Sequence, residues 1–149
     1  MVWAAFCAET TLAPKFVSSR MNSTEYQETL ASSLLPFLEE NKENRWVFQQ
    51  DNAAIHTSRM TSAWFSEKNV TCLDWPALSP DLNPMENLWG ILVYDIYAHG
   101  TQYDSIADLK GAIMRAWNQI PLQMLRNLVN TMPHRIAAVI ESKGDKTKY

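Results

Sequence analysis

The stretch RWVFQQDNAAIHTSRMTSAWFSEKNVTCLD, residues 45–74, decides the fold class. Residues 45–50 form a short apolar and aromatic run that delivers an acid, Asp51, and residues 70–74 form a second strand-like run. Between them Thr57 can cap a helix over residues 58–67 that buries Met60, Trp64 and Phe65 at helical spacing. A strand, a helix and a strand joined by connections this short imply a parallel pair, and hence an α/β sheet. In open sheets of that kind ligands gather beyond the carboxyl ends of the strands, which is where Asp51 stands. By residue type alone Asp51 is equally a turn residue before a helix, because its side chain can bond the backbone two residues on.

Downstream, SPDLNPMENLWG, residues 79–90, reads as a stiff loop that becomes a helix. Asn83 is the expected N-cap, Pro84 suits the first helical position, and Glu86, three residues past the cap, can close a capping box. Metal ligation is the competing role. The helix, expected over residues 84–98, carries an apolar arc of Leu88, Trp89, Leu92, Val93 and Ile96. At about 100° per residue Glu86 falls at the margin of that arc and can face the sheet. Pro76, Pro80 and Pro84 restrict the preceding loop and could hold the carboxylate at low entropy cost. Further on, Ser105 caps a stripe of Ile106, Leu109, Ile113, Ala116 and Trp117, followed after Pro121 by Leu122, Leu125, Leu128 and Val129. Pro133 is expected to break or kink the last helical stretch before Ile136, Val139 and Ile140.

Upstream, residues 1–8 and 12–17 suggest a hairpin. Asn22 with Glu25 opens a helix whose core line is Tyr26, Leu30, Leu34, Phe37 and Leu38, with Pro36 marking a kink or an early end. The 149 residues, 46% hydrophobic, make about one domain, with no repeat, membrane span or signal peptide, and an intracellular protein is expected. Cys7 and Cys72 lack metal-ligand spacing and read as buried thiols. A net charge of −3 is unlike a stand-alone nucleic-acid binder. The basic residues late in the chain, Arg126, Arg135, Lys143, Lys146 and Lys148, read as a solvated end.

Asp51 and Glu86 stand out as a pair with 34 residues between them. Paired acids suit phosphoryl transfer, because hard divalent cations take a few carboxylate oxygens together with substrate phosphate oxygens. VFQQDNAAIHT (47–57) followed by WPALSPDLNPMENLWG (75–90) resembles the catalytic signature of mariner-superfamily transposases, in the branch of the nematode transposons with the Asp-Asp-34-Glu pattern. MNSTEYQ (21–27) and GDKTKY (144–149) are similar to that branch as well, so the likeness runs along essentially the whole chain.

The resemblance implies an α/β, ribonuclease-H-like fold, that of the integrase and transposase catalytic core, whose Asp-Asp-Glu triad holds two Mg²⁺ or Mn²⁺ ions. It also implies hydrolysis of DNA at transposon ends, joining of the freed 3′ hydroxyl to target DNA, a nuclear location and a homo-oligomeric assembly. Asp51 matches the second acid and Glu86 the third, capping being a second role that Glu86 can combine with the first. Asn52 and His56 match positions near the site; their physical alternatives are a turn-stabilising amide and a satisfied, partly buried imidazole. The family's first Asp lies on a strand upstream of the one matched by residues 1–8, so an N-terminally truncated core lacking its first strand, and lacking the helix-turn-helix region, is expected. Residues 1–98 then form a partial catalytic core and residues 99–149 a C-terminal helical extension of the same domain. Such a portion is expected to be inactive alone. The alternative is a non-catalytic nucleic-acid-binding or assembly module derived from a transposase.

Overall fold

The computed structural model describes residues 1–145 and 147–149; Lys146, read above as part of the basic end, lies outside the described residues. The chain divides into two compact units, Met1–Trp3 with Val17–Leu78, and Ala4–Phe16 with Ser79–Tyr149. The expected hairpin forms from β1 (Val2–Phe6) and β2 (Thr11–Phe16), closed at the turn by Cys7 N–H donating to the Thr10 carbonyl at 2.9 Å.

In the first unit α1 (Ser23–Glu40) starts as its sequence requires. The Asn22 side chain accepts from the Thr24 and Glu25 amides at 2.9 and 3.0 Å, and the Glu25 carboxylate accepts the Asn22 amide at 2.9 Å, a complete capping box. Tyr26, Leu30 and Leu34 are buried along one line. Pro36 does not end the helix, which continues to Glu40. Pro36 is exposed, and the turn beyond it is secured independently: the backbone and side-chain N–H groups of Asn41 both donate to the Phe37 carbonyl, and the Trp46 indole N–H donates to the Asn41 carbonyl.

The strands expected at 45–50 and 70–74 shrink to one parallel bridge, Phe48 with Cys72. It rests on Phe48 N–H to the Thr71 carbonyl and Leu73 N–H to the Phe48 carbonyl, both 2.8 Å. The parallel sense matches the expectation and the length does not. Two lone parallel segments gain little per rung, and Val47 and Leu73 are exposed on either side, so extension would bury little more. Between them α2 (Arg59–Glu67) is capped by Ser58 rather than Thr57, the Ser58 hydroxyl accepting from the Thr61 amide at 3.1 Å. Phe65 is buried, as expected, but Met60 is 58% exposed and Thr61 is buried in its stead. The Thr61 hydroxyl can be buried because it donates to the Ile55 carbonyl at 2.7 Å.

In the second unit the helices are α3 (Pro84–Ile96), α4 (Ile106–Asn118), α5 (Leu122–Asn130) and α6 (Met132–Glu141). Leu88, Leu92 and Ile96 of α3 pack with Ala112, Ala116 and Trp117 of α4 and Leu125 of α5. Burying each large side chain of this set stabilises by about 1.5–3 kcal/mol. The apolar stripes are narrower than their sequence suggests: Val93, Ile106, Leu122, Ile136 and Ile140 are exposed. α3 ends at Ile96, short of 98, because Ala98–Gly100 turns into a 3₁₀ segment with His99 at φ 58°. The break expected at Pro133 falls two residues earlier, at Thr131 between α5 and α6. Pro133 lies in the first turn of α6, where a missing N–H costs nothing. The residue that α6 buries is Arg135, against the expectation that it belongs to a solvated end. Among the described residues no helix is long and apolar enough to cross a membrane. Cys7 and Cys72 are free and half-buried.

Candidate functional site

Asp51 follows the Phe48–Cys72 bridge in the first unit, at the carboxyl end of the segment that carries Phe48. Its Oδ1 accepts from the Ala53 amide at 3.0 Å, the turn geometry anticipated for an Asp before a helix. The same oxygen lies 2.6 Å from His56 Nδ1. A carboxylate can only accept, so His56 must present Nδ1–H to it. Oδ2 takes no hydrogen bond among the described residues, and Asp51 is exposed.

His56 is fixed from two further sides. Its ring lies against Tyr26, centroids 4.3 Å apart, and its carbonyl accepts from Gln50 Nε2 at 3.2 Å. Gln50 Oε1 in turn accepts the Tyr26 hydroxyl at 2.6 Å. Burial raises the Tyr26 pKa far above the usual phenol value, with Cys72 and Asp51 adding to the shift, so the hydroxyl stays protonated and donates. Asn52 does more than stabilise its own turn: Nδ2 donates to the Trp75 carbonyl at 2.7 Å and ties the loop after Phe48 to the loop after Cys72. Asp51, Asn52 and His56 therefore come together in one hydrogen-bonded loop. Tyr26 and Gln50 hold it, and sequence reasoning missed that role for both; Tyr26 looked like one more core residue at helical spacing.

Glu86 lies in the second unit, exposed in the first turn of α3. The capping box expected for it does not form. Asn83 does cap α3, its side chain accepting from the Met85 amide at 3.1 Å, but the Asn83 amide donates to the Pro80 carbonyl at 3.0 Å. A 3₁₀ turn, Pro80–Leu82, has already used the donor that the Glu86 carboxylate would have accepted. Among the described residues nothing donates to that carboxylate.

Both acids offer hard oxygen donors with unspent acceptor capacity, which suits Mg²⁺ or Mn²⁺. Among the described residues no three His, Cys, Asp or Glu side chains are gathered as a metal-holding group.

A hairpin, a parallel bridge whose two segments are joined through α2, and a following set of helices make an α/β fold, with one acid after the bridge and one at a helix start. It is the ribonuclease-H-like fold of the Mos1 mariner transposase catalytic domain. The structure of that domain with Raltegravir and Mg covers 99% of this chain and 75% of its own, at a TM-score of 0.86 and 20% identity. A Mos1 paired-end complex with Mn matches at a TM-score of 0.83 and 20% identity, over 95% of this chain and 43% of that one. Residues 1–110 match the family model of the DDE superfamily endonucleases, and the chain belongs to that family. It is 46% identical over 149 residues to the Tc3 transposase of Caenorhabditis elegans, all of this chain against 45% of the relative. To the Tcb1 transposase of Caenorhabditis briggsae it is 36% identical over 150 residues, 100% of this chain and 54% of the relative. The chain thus spans about half the length of the curated relatives it matches.

Proposed function

We propose that this chain carries two acids, Asp51 and Glu86, of the metal-binding site of a cut-and-paste DNA transposase, acting on transposon ends and target DNA in the nucleus. The observation that carries the reading is the Glu86 carboxylate: its helix is capped without it, it is exposed, and it has no partner among the described residues. An acid that the fold does not use is available for a ligand.

Asp51 and Glu86 would hold Mg²⁺ or Mn²⁺. Such ions, when bound, stabilise charge on the scissile phosphate and on the attacking and leaving oxygens. The protein's own part is orientation. The Ala53 amide and His56 Nδ1–H fix Asp51 Oδ1 and leave Oδ2 for the ion. Tyr26 and Gln50 hold His56, and Asn52 anchors the loop. Relatives that are transposases by name, and Mos1 structures with Mg, with Mn and with a left transposon end, support the choice of ion and of DNA as partner. Assembly as a homo-oligomer on paired ends belongs to the same proposal.

Calorimetric titration of the chain with Mn²⁺ tests it. Binding is expected to be weak, because a site of one or two carboxylates leaves such an ion most of its waters, and to be lost in both Asp51→Asn and Glu86→Gln. Mn²⁺ binding unchanged by both substitutions would move the ions elsewhere and leave a non-catalytic nucleic-acid-binding or assembly module as the better account.

A further inference from the structure

Arg135 is 1% exposed, and one of its hydrogen bonds reaches the loop that precedes Glu86. Its NH1 donates to the Asp81 carbonyl at 2.6 Å and its Nε to the Thr131 hydroxyl at 2.7 Å, while the guanidinium lies over the Tyr149 ring, 4.9 Å from its centroid. The Asp81 carboxylate faces the same C-terminal segment. Its Oδ2 accepts both the Thr147 amide, at 3.1 Å, and the Thr147 hydroxyl, at 2.8 Å. Backbone and side chain of Asp81 are therefore both held, one by α6 and the other by the end of the chain.

Asp81 is the middle residue of the 3₁₀ turn Pro80–Leu82. That turn supplies the Pro80 carbonyl taken by the Asn83 amide, and Asn83 caps α3, its carbonyl accepting the Glu86 amide at 3.1 Å. The links run in short steps from residues 147–149 and Arg135, through Asp81, to the backbone of Glu86. From this we infer that residues 147–149, with Arg135, form a clamp that positions Glu86 for its ligand by fixing the turn at Asp81. The inference rests on the metal-site reading of Glu86. It gives the closing GDKTKY motif a task in the site: Thr147 and Tyr149 are positioning residues, and neither is a ligand.

A buried arginine on a backbone carbonyl could serve stability alone, so the test reads the turn and the ion separately. Thr147→Val, in the full chain, removes one donor with little change in volume, and Thr147→Ser restores it. Arg135→Met is the harsher variant; should it fail to fold, the Thr147 pair and a chain ending at residue 146 still decide. In Thr147→Val, amide hydrogen exchange at Asn83, Met85 and Glu86 is expected to quicken. Mn²⁺ affinity should fall about two- to tenfold, the worth of one hydrogen bond. Thr147→Ser should reverse both, and in a Glu86→Gln background, where Mn²⁺ no longer binds, Thr147→Val should still quicken exchange at Asn83 and Met85. Unchanged exchange at those amides overturns the clamp. So does faster exchange with unchanged Mn²⁺ affinity in a chain whose binding Glu86→Gln abolishes. If Glu86→Gln itself leaves Mn²⁺ binding intact, the metal-site reading has failed first, and the clamp loses the role given to it here.

Discussion

Asp81 takes both of its side-chain donors from one residue, Thr147, and this holds its carboxyl below the usual carboxylate range. A carboxyl whose folded pKa is depressed contributes stability above its unfolded value of about 3.9 and loses it as pH falls through the lower folded value. Docking of the end of the chain should therefore hold through neutral and mildly acid solution and fail only below about pH 4. The Thr147 amide resonance, followed from neutral pH downward, is the direct reporter, and Asp81→Asn should abolish the acid transition. A Thr147 amide that shifts well above that range, or that Asp81→Asn leaves unaltered, would contradict the assignment. Arg135 shows why this part of the molecule was illegible in the sequence. Among Arg126, Lys143 and Lys148 it looks like one more solvated cation. Only the return of the chain to Asp81, 54 residues away along the sequence, gives a buried guanidinium its acceptor.

At the scale of elements, the two helix starts that share the pattern Asn-x-x-Glu behave differently, and the difference lies one turn upstream. Before α1 the Asn22 amide has no other acceptor and bonds Glu25; before α3 the Asn83 amide is already spent on Pro80. The expected energetics follow. Glu25→Ala should destabilise by about 1 kcal/mol, a cap's worth, whereas Glu86→Ala should stay within about 0.5 kcal/mol, as for a surface side chain with no task in the fold. Urea unfolding of the two variants checks this. Equal losses would mean that Glu86 caps α3 in solution, and the case for an acid held in reserve would fall. The caps at Asn22, Asn83 and Ser105 were all legible, because an N-cap is settled by three or four adjacent residues. The strands at 45–50 and 70–74 were legible in direction and not in length, since the number of rungs depends on what pairs beside them and on whether Val47 and Leu73 find cover.

For the whole molecule the unresolved tension is between charge and partner. The chain has 13 Lys and Arg against 16 Asp and Glu, so no net field draws a polyanion to it. One of those cations, Arg135, is buried and spent on Asp81 and Tyr149, which shrinks the pool further. Asp51 and Glu86 belong to different units, each exposed, and in the role proposed for them each would add negative charge facing a phosphate. Divalent ions at the acids would offset that repulsion locally, but the affinity a basic surface gives has to come from elsewhere. Each phosphate neutralised by Lys or Arg contributes about −0.9 to the slope of log affinity against log salt. The chain alone should therefore bind duplex DNA weakly, with a slope shallower than about −3 between about 50 and 200 mM salt. Mn²⁺ should strengthen binding in the wild-type chain and not in Glu86→Gln. Fluorescence anisotropy with a labelled transposon-end duplex measures both quantities. Tight binding with a slope steeper than about −6, indifferent to Mn²⁺, would reveal a concentrated basic face behind the acidic net charge. Recognition would then be built into these 149 residues, and the acids would act on DNA already held.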